Sequence, residues 1–134
     1  MIPRRALPAL LLTLPVAPAR AAGLAPRAEG GWQLAFPPGE ATLDAEGRAA
    51  LARLVPPLAA QTAGRITVEA QVSSPVEDAS SARRLSLARA RAVREALVAA
   101  GLDATRVDIR ALGRLDPPAD IAEILPPGVP RRTR

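Results

Sequence analysis

The stretch SSARRLSLARARAVREALVAAG, residues Ser80 to Gly101, decides how the rest of the chain can fold. At about 100° per residue, its apolar side chains lie on one side of a helix and most of its charged side chains on the other. The sequence therefore predicts an amphipathic helix with one buried face, ended by Gly101 as a C-cap. The predicted apolar face consists of Leu85, Ala88, Ala92, Val93, Ala96, Leu97 and Ala100.

One charged residue, Arg89, falls within this apolar face. The residues one turn before and after it include no acid; they are Leu85, Ser86, Ala92 and Val93. A guanidinium directed towards a core is costly unless it is paired or opens into a site. The sequence therefore predicts that a group outside the helix, from the protein or from a ligand, meets Arg89.

The segments around this helix supply a second helix and several strands. Residues Thr42 to Leu58 place apolar side chains at helical spacing. Pro56 and Pro57 predict a kink or break near Val55, because proline removes a backbone donor and restricts the residue before it. Apolar runs typical of strands occur at Trp32–Phe36, Ile66–Ala70, Arg106–Leu112 and Ala119–Leu125.

The order of these elements predicts the fold class. A strand, a long helix and a strand in succession form a βαβ unit, whose two strands are parallel and joined by a right-handed crossover. The whole chain then reads βαβαβ(β). We expect a two-layer α/β (α+β) sandwich, in which a mixed sheet of three or four strands is covered by two main helices.

The N-terminal residues have the pattern of a secretory signal peptide. A charged start and an apolar run are followed by Ala19-Arg20-Ala21, which fits a cleavage site. We expect a signal peptide at 1–21, a flexible leader at 22–30, a folded domain at 31–125 and a disordered Pro- and Arg-rich tail at 126–134. After cleavage no transmembrane segment is expected, and the mature protein lies in the periplasm, with association to the outer membrane or cell wall left open.

The residue types that are missing argue against catalysis. The chain contains no His, Cys, Lys or Tyr, which supply most bases and nucleophiles near neutral pH. We therefore predict no catalytic residue, no metal site and no cofactor. Nucleic-acid binding is not expected either, because removal of the signal peptide leaves 15 arginines against 13 acidic residues, with one Trp and one Phe.

Residues Leu85 to Gly113 resemble the OmpA-like domain, a periplasmic module that anchors outer-membrane and flagellar-motor proteins to peptidoglycan. Trp32 to Leu43 also resembles the opening strand and turn of that family. The resemblance implies an OmpA-like fold for residues 31–125 and a non-catalytic role. The positions that match are Leu85, Ser86, Arg89, Ala90, Val93, Leu97, Gly101, Arg106 and Gly113.

The resemblance also implies how the family holds its ligand. Its members grip the diaminopimelate of the peptidoglycan stem peptide with two groups: an Asp after the second strand and the Arg of a Leu-Ser-x-x-Arg segment. The Arg takes a carboxylate and the Asp takes an ammonium. Arg89 corresponds to the Arg, whereas the Asp position falls on Ser73 or Ser74.

The missing acid leaves alternatives open. In one, Glu77, Asp78 or Asp120 takes over the acidic role, and the domain associates with peptidoglycan or with envelope proteins. In the other, an internal acid such as Asp120, Asp108 or Glu69 holds Arg89 in a structural ion pair, and the domain is a scaffold or protein-interaction module. The oligomeric state stays open. The predicted ligand-binding residues are Arg89, Ser73, Ser74, Glu77 and Asp78.

Overall fold

The computed structural model describes residues 23–61, 64–73 and 78–131. The predicted signal peptide therefore lies outside the described residues. In chain order the elements are β1 (Leu24–Pro26), β2 (Trp32–Ala35), α1 (Ala45–Ala60), β3 (Ile66–Val72), α2 (Ala79–Ala99), β4 (Val107–Arg114) and β5 (Ile121–Leu125). A 3-10 turn at Ala104–Arg106 precedes β4.

The strands form one mixed sheet in the order β1-β2-β5-β3-β4. Strands β3 and β4, which flank α2 in the sequence, are parallel, and the other neighbours are antiparallel. A single core cluster joins side chains of both helices to one face of the sheet, including Leu51, Leu97, Val68 and Ile124. The predicted two-layer α/β sandwich with two main helices is confirmed, but the sheet has five strands where three or four were expected, because Leu24–Pro26 adds an edge strand.

Helix α2 has clear signals at both ends. Asp78 is its N-cap and accepts a hydrogen bond from the Ser80 backbone N–H at 2.9 Å. At the other end Gly101 adopts a φ of 112°, a left-handed value that favours glycine. The Leu102 N–H then donates to the Leu97 carbonyl at 3.1 Å, which is the bond of a Schellman motif.

The buried face of α2 is rotated from the predicted one. Ala88 and Ala100 are exposed, so their predicted burial is wrong, and Leu85 is half-buried. The polar side chains of Ser86 and Arg89 lie within the buried face because both find partners inside the protein. The buried residues of the helix are Ala82, Ser86, Arg89, Ala90, Val93, Ala96 and Leu97.

Helix α1 continues through both of its prolines, so of the predicted kink or break near Val55 the break is wrong. Pro56 and Pro57 are exposed, and the carbonyls that lose their donors lie on an exposed part of the helix. Leu54 and Leu58 are buried on the opposite side. Their packing holds the last turn against the core despite the two missing backbone hydrogen bonds.

Two segments from the predicted leader and tail are placed by the structure. Leu24–Pro26 pairs with β2 as an antiparallel edge strand. After β5 the chain turns, with the Val129 N–H donating to the Pro126 carbonyl at 3.2 Å. The structured part of the chain thus includes residues on both sides of the predicted range 31–125.

Candidate functional site

The guanidinium of Arg89 is fully buried, with 0% of the residue exposed, and lies among protein acceptors. Its Nε donates to the Glu40 carbonyl at 2.7 Å and its Nη2 to the Pro37 carbonyl at 3.0 Å. Its Nη1 donates to the Gln71 carbonyl at 2.9 Å and to Asp120 Oδ1 at 2.8 Å. An arginine has five N–H donors, and these contacts use four of Arg89's.

The segments around Arg89 come from four separate parts of the chain. Helix α2 carries the arginine, and the loop between β2 and α1 supplies the carbonyls of Pro37 and Glu40. The same loop begins with Phe36, whose ring centre lies 5.1 Å from the Arg89 guanidinium carbon. That distance is within the range of a cation–π contact. The other two parts are the end of β3 and the residue before β5.

The carboxylate of Asp120 closes this cluster. Besides Arg89, it accepts the Ser73 backbone N–H at 3.0 Å, and the Ser73 hydroxyl donates to its other oxygen. The Asp120 side chain is 13% exposed. Burial raises the pKa of this carboxyl, but the hydrogen bonds from Ser73 and Arg89 outweigh it and hold the pKa below its ordinary value. Asp120 therefore stays ionised and paired near neutral pH.

A cavity of about 530 Å³ lies next to the cluster. It shares Phe36, Pro37 and Glu40 with the surroundings of Arg89, and its wall is mostly apolar. Across residues 23–61, 64–73 and 78–131, no three His, Cys, Asp or Glu side chains come together in a way that would hold a metal ion. No helix in this part of the chain is long and apolar enough to cross a membrane.

Comparison with known protein families gives one match. The model of the OmpA family matches residues 35–124, which include β3, α2, β4, all of β5 except its last residue, and the hydrogen-bond partners of Arg89. The chain belongs to the OmpA family. The resemblance seen in the sequence is thereby confirmed.

Solved structures with the same fold agree with this OmpA-family assignment. The OmpA-like domain of FopA1 from Francisella tularensis is 22% identical, with a TM-score of 0.60, covering 75% of each chain. The peptidoglycan-associated lipoprotein from Burkholderia pseudomallei is 16% identical, with a TM-score of 0.57, covering 69% of this chain and 87% of its own. The periplasmic domain of Helicobacter pylori MotB is 15% identical, with a TM-score of 0.56, covering 76% and 83%.

These structures share the fold with this chain at low sequence identity. A comparison with curated protein sequences gives no match. What the OmpA-family chain binds must therefore be argued from its own residues.

The structure brings together two of the predicted site residues of this OmpA-family domain. Arg89 and Ser73 both contact Asp120 and are joined through it. Asp78 is exposed and caps α2, where it contacts Ser80 and Ser81 and is not among the partners of Arg89. The hydrogen bond from the Ser80 backbone holds the pKa of Asp78 below its ordinary value. The other two predicted residues, Ser74 and Glu77, lie outside the described part of the chain.

Of the three internal acids that the sequence offers as partners of Arg89, Asp120 is the one that binds it. Asp108 instead binds Arg65 through two hydrogen bonds of 2.6 Å, and Glu69 pairs with Arg110. The sequence did not reveal the carbonyls of Pro37, Glu40 and Gln71 as partners of Arg89. Every residue has a backbone carbonyl, and which carbonyls point towards Arg89 depends on the tertiary structure. A partial signal was present in Pro37-Pro38-Gly39, a turn that places loop carbonyls near the end of β2.

Proposed function

We propose that this chain is a non-catalytic scaffold or protein-interaction domain of the cell envelope, in which Arg89 is an internal clasp. It does not grip a peptidoglycan stem peptide through this arginine. The observation that carries the proposal is the burial of Arg89, 0% exposed, with Asp120 and three carbonyls as its partners.

A ligand that bound Arg89 would have to compete with the groups that already bind it. A ligand carboxylate that takes the place of Asp120 at the Nη1 of Arg89 would leave the Asp120 carboxylate without its ion-pair partner, with only its hydrogen bonds from Ser73. Removing one member of a buried ion pair costs about 3–5 kcal/mol. That penalty corresponds to a loss of at least about a hundredfold in affinity. A stem-peptide site that depended on Arg89 would therefore be weak.

The clasp has a structural use that explains an arginine at this position. Its four hydrogen bonds join α2 to the loop after β2, to the end of β3 and to the residue before β5. A guanidinium has donors pointing in several directions, so one side chain can donate to carbonyls from several segments. The buried carbonyl of Gln71 would be costly to leave without a donor.

The envelope location rests on the sequence and on the family. The pattern of residues 1–21 is that of an export signal, and one structure with the same fold is a periplasmic domain. The absence of His, Cys, Lys and Tyr from the sequence supports a role without catalysis. We therefore place the mature chain in the periplasm.

A second candidate is peptidoglycan association with Asp120 in the acidic role. The observation that favours it is the partial exposure of Asp120, 13%, beside Ser73, one of the two residues at which the family's Asp position falls. One structure with the same fold is that of a peptidoglycan-associated lipoprotein. In this candidate Asp120 takes the ammonium of a ligand while Arg89 stays internal.

Co-sedimentation with purified peptidoglycan separates the two candidates. The protein, purified from an exporting host, is compared with Arg89→Ala and Asp120→Asn, and with Arg91→Ala, an exposed arginine of α2, as the matched control. All four are also melted thermally, and pelleting is measured well below every midpoint. The clasp proposal predicts no pelleting above background and a lower melting temperature for Arg89→Ala.

The other outcomes of the same experiment also distinguish between the two candidates. Pelleting of the wild type that is lost in Asp120→Asn and kept in Arg91→Ala supports the second candidate. Pelleting that is lost in Arg89→Ala, with an unchanged melting temperature, makes Arg89 a ligand contact and contradicts the clasp.

A further inference from the structure

Strand β4 (Val107–Arg114) is one edge of the sheet. Across residues 23–61, 64–73 and 78–131 it pairs on one side only, with β3. It is eight residues long and contains no proline, whereas the other edge strand, β1, has three residues and includes Pro26. Short edges and prolines discourage the addition of a further strand, so β4 is the edge that can accept one.

The regular part of this edge is Val107–Ala111. Its five residues pair one to one with β3. Beyond it β4 contains an extra residue, because the next pair is Val72 with Arg114, and Gly113 adopts a φ of 64° there. Such a bulge bends a strand and interrupts its regular pairing. An added strand therefore has the segment Val107–Ala111 to pair with.

The side chains of this segment alternate between the two faces of the sheet. Ile109 is half-buried and packs against the core cluster below the helices. Asp108 and Arg110 lie on the opposite face, where Asp108 binds Arg65 and Arg110 binds Glu69. Their side chains are 41% and 33% exposed. This face of the edge thus presents an acid and a base two positions apart.

A second copy of the chain fits this charge pattern. Two β4 strands related by a two-fold axis perpendicular to the sheet are antiparallel, and the axis passes between the two copies of one residue. If that residue is Ile109, Asp108 lies opposite Arg110 of the second copy, and this pairing of opposite charges occurs twice. If it is Asp108 or Arg110, that residue lies opposite itself. Like charges directly opposite are destabilising, so the charges select the register centred on Ile109.

We propose that the chain forms a dimer by antiparallel pairing of two β4 strands over Val107–Ala111, with Ile109 at the two-fold axis. The contact is short, so the dissociation constant should be roughly 10–100 µM, as is usual for small interfaces. The proposal names a partner for the interaction role proposed above. It does not depend on Arg89, whose role is measured by melting, so failure of one proposal leaves the other standing.

A cysteine cross-link tests the register. The sequence has no cysteine, so Ile109→Cys and the matched control Ala111→Cys each introduce a single thiol on the same face of β4. Residues directly opposite in antiparallel strands have Cα atoms about 4.5–5.5 Å apart, a distance that a disulfide spans. The two copies of Ala111 would be about 14 Å apart, because they are displaced by four positions along the strands. Both variants are oxidised with copper phenanthroline and separated on a non-reducing gel.

Sedimentation equilibrium tests the charge pattern in the full protein. Asp108→Arg places two arginines opposite each other at both ends of the contact, so the dissociation constant should rise at least about tenfold. The matched control is Glu46→Arg, which makes the same change of charge at an exposed position of α1. This control should dimerise as the wild type does.

The expected results are a wild-type dimer, a cross-link in Ile109→Cys that is absent from Ala111→Cys, and weaker association of Asp108→Arg alone. A wild type that stays monomeric up to about 1 mM would overturn the proposal, because a contact that weak would not hold two copies together. Equal cross-linking of the two cysteine variants would show random collision and would also overturn it. A wild-type dimer that Asp108→Arg leaves unchanged would place the interface on another surface.

Discussion

The two ends of strand β3 place the same residue type in opposite environments. At the end of β3, Arg89 is 0% exposed and bound to Asp120 and three carbonyls. At its start, the side chain of Arg65 is 61% exposed and bound to Asp108, which is 41% exposed. Both arginines have a carboxylate partner at hydrogen-bond distance. The two arginines therefore differ in burial and in the number of their acceptors. These differences, and not the ion pair itself, make Arg89 a structural residue and Arg65 a surface residue.

The largest loss of stability is expected for truncation of the buried arginine, Arg89. Arg89→Ala leaves Asp120 and three carbonyls without their donor, and we expect a loss of about 3–5 kcal/mol in the free energy of unfolding. The melting temperature should fall by at least about 10 °C. Thermal denaturation followed by circular dichroism measures this. A drop of less than about 3 °C would remove the basis for calling Arg89 a clasp.

Substitution of Asp120 tests the buried end of β3 through the pH dependence of stability. Asp120→Asn should cost about 1.5–3 kcal/mol, because it weakens a hydrogen bond to a charged group. The pKa of Asp120 is lowered in the folded state. Its stabilising contribution is therefore complete above the unfolded pKa, about 3.9, and is lost as the pH falls through the lower folded pKa.

Urea denaturation between pH 7 and pH 2 measures that contribution. The difference in stability between wild type and Asp120→Asn should be constant above about pH 5 and shrink below pH 4. Asp116→Asn, an exposed carboxylate in the same loop, is the control and should follow the wild type. A difference that stays constant down to pH 2 would mean that Asp120 does not titrate as a paired group.

A smaller loss of stability is expected for substitution of Ser86, a neutral polar residue on the same face of α2. The Ser86 hydroxyl accepts the Gly113 backbone N–H at 2.9 Å and donates to the Arg83 carbonyl at 2.9 Å. Ser86→Ala leaves a buried N–H without an acceptor, and we expect a loss of about 1 kcal/mol. Chemical denaturation of this variant beside Ala88→Ser, an exposed position of the same helix, measures it. Equal stability of Ser86→Ala and wild type would refute the assignment.

The smallest effect is expected at the exposed end. Arg65→Ala removes a two-bond contact with Asp108, but both groups are solvated, and exposed pairs contribute little. The melting temperature should change by no more than about 2 °C. A fall in the melting temperature as large as that of Arg89→Ala would contradict the difference between the two ends of β3.

Much of the fold could be predicted because its signals are local. Helical spacing placed α2, Gly101 marked its end, and the strand-helix-strand order gave the parallel pair of β3 and β4. The same spacing placed Arg89 inside the buried face. The prediction was wrong at Ala88 and Ala100, because the predicted face was centred on apolar side chains, whereas the polar Ser86 is buried with partners inside the protein.

The identity of the partners of Arg89 could not be predicted, since they lie far away in the sequence. Asp120 is 31 residues from Arg89, and the carbonyl of Pro37 is 52 residues away. Nothing local distinguished Asp120 from Asp108 or Glu69 as the partner. The partner is determined by the register between β3 and β5. The end of β3 and the start of β5 are antiparallel neighbours, and this pairing places Ser73 beside Asp120.

The most direct test of the clasp is an NMR titration that observes the Arg89 guanidinium itself. The Nε–H signal is assigned in ¹⁵N-labelled protein by its absence from Arg89→Lys, and a soluble stem peptide containing diaminopimelate is then added to millimolar concentration. The account predicts that the signal is protected from exchange with water and does not move, because its acceptor is the Glu40 carbonyl. A shift of this signal that saturates with added peptide would show a ligand reaching Arg89 and would contradict the account.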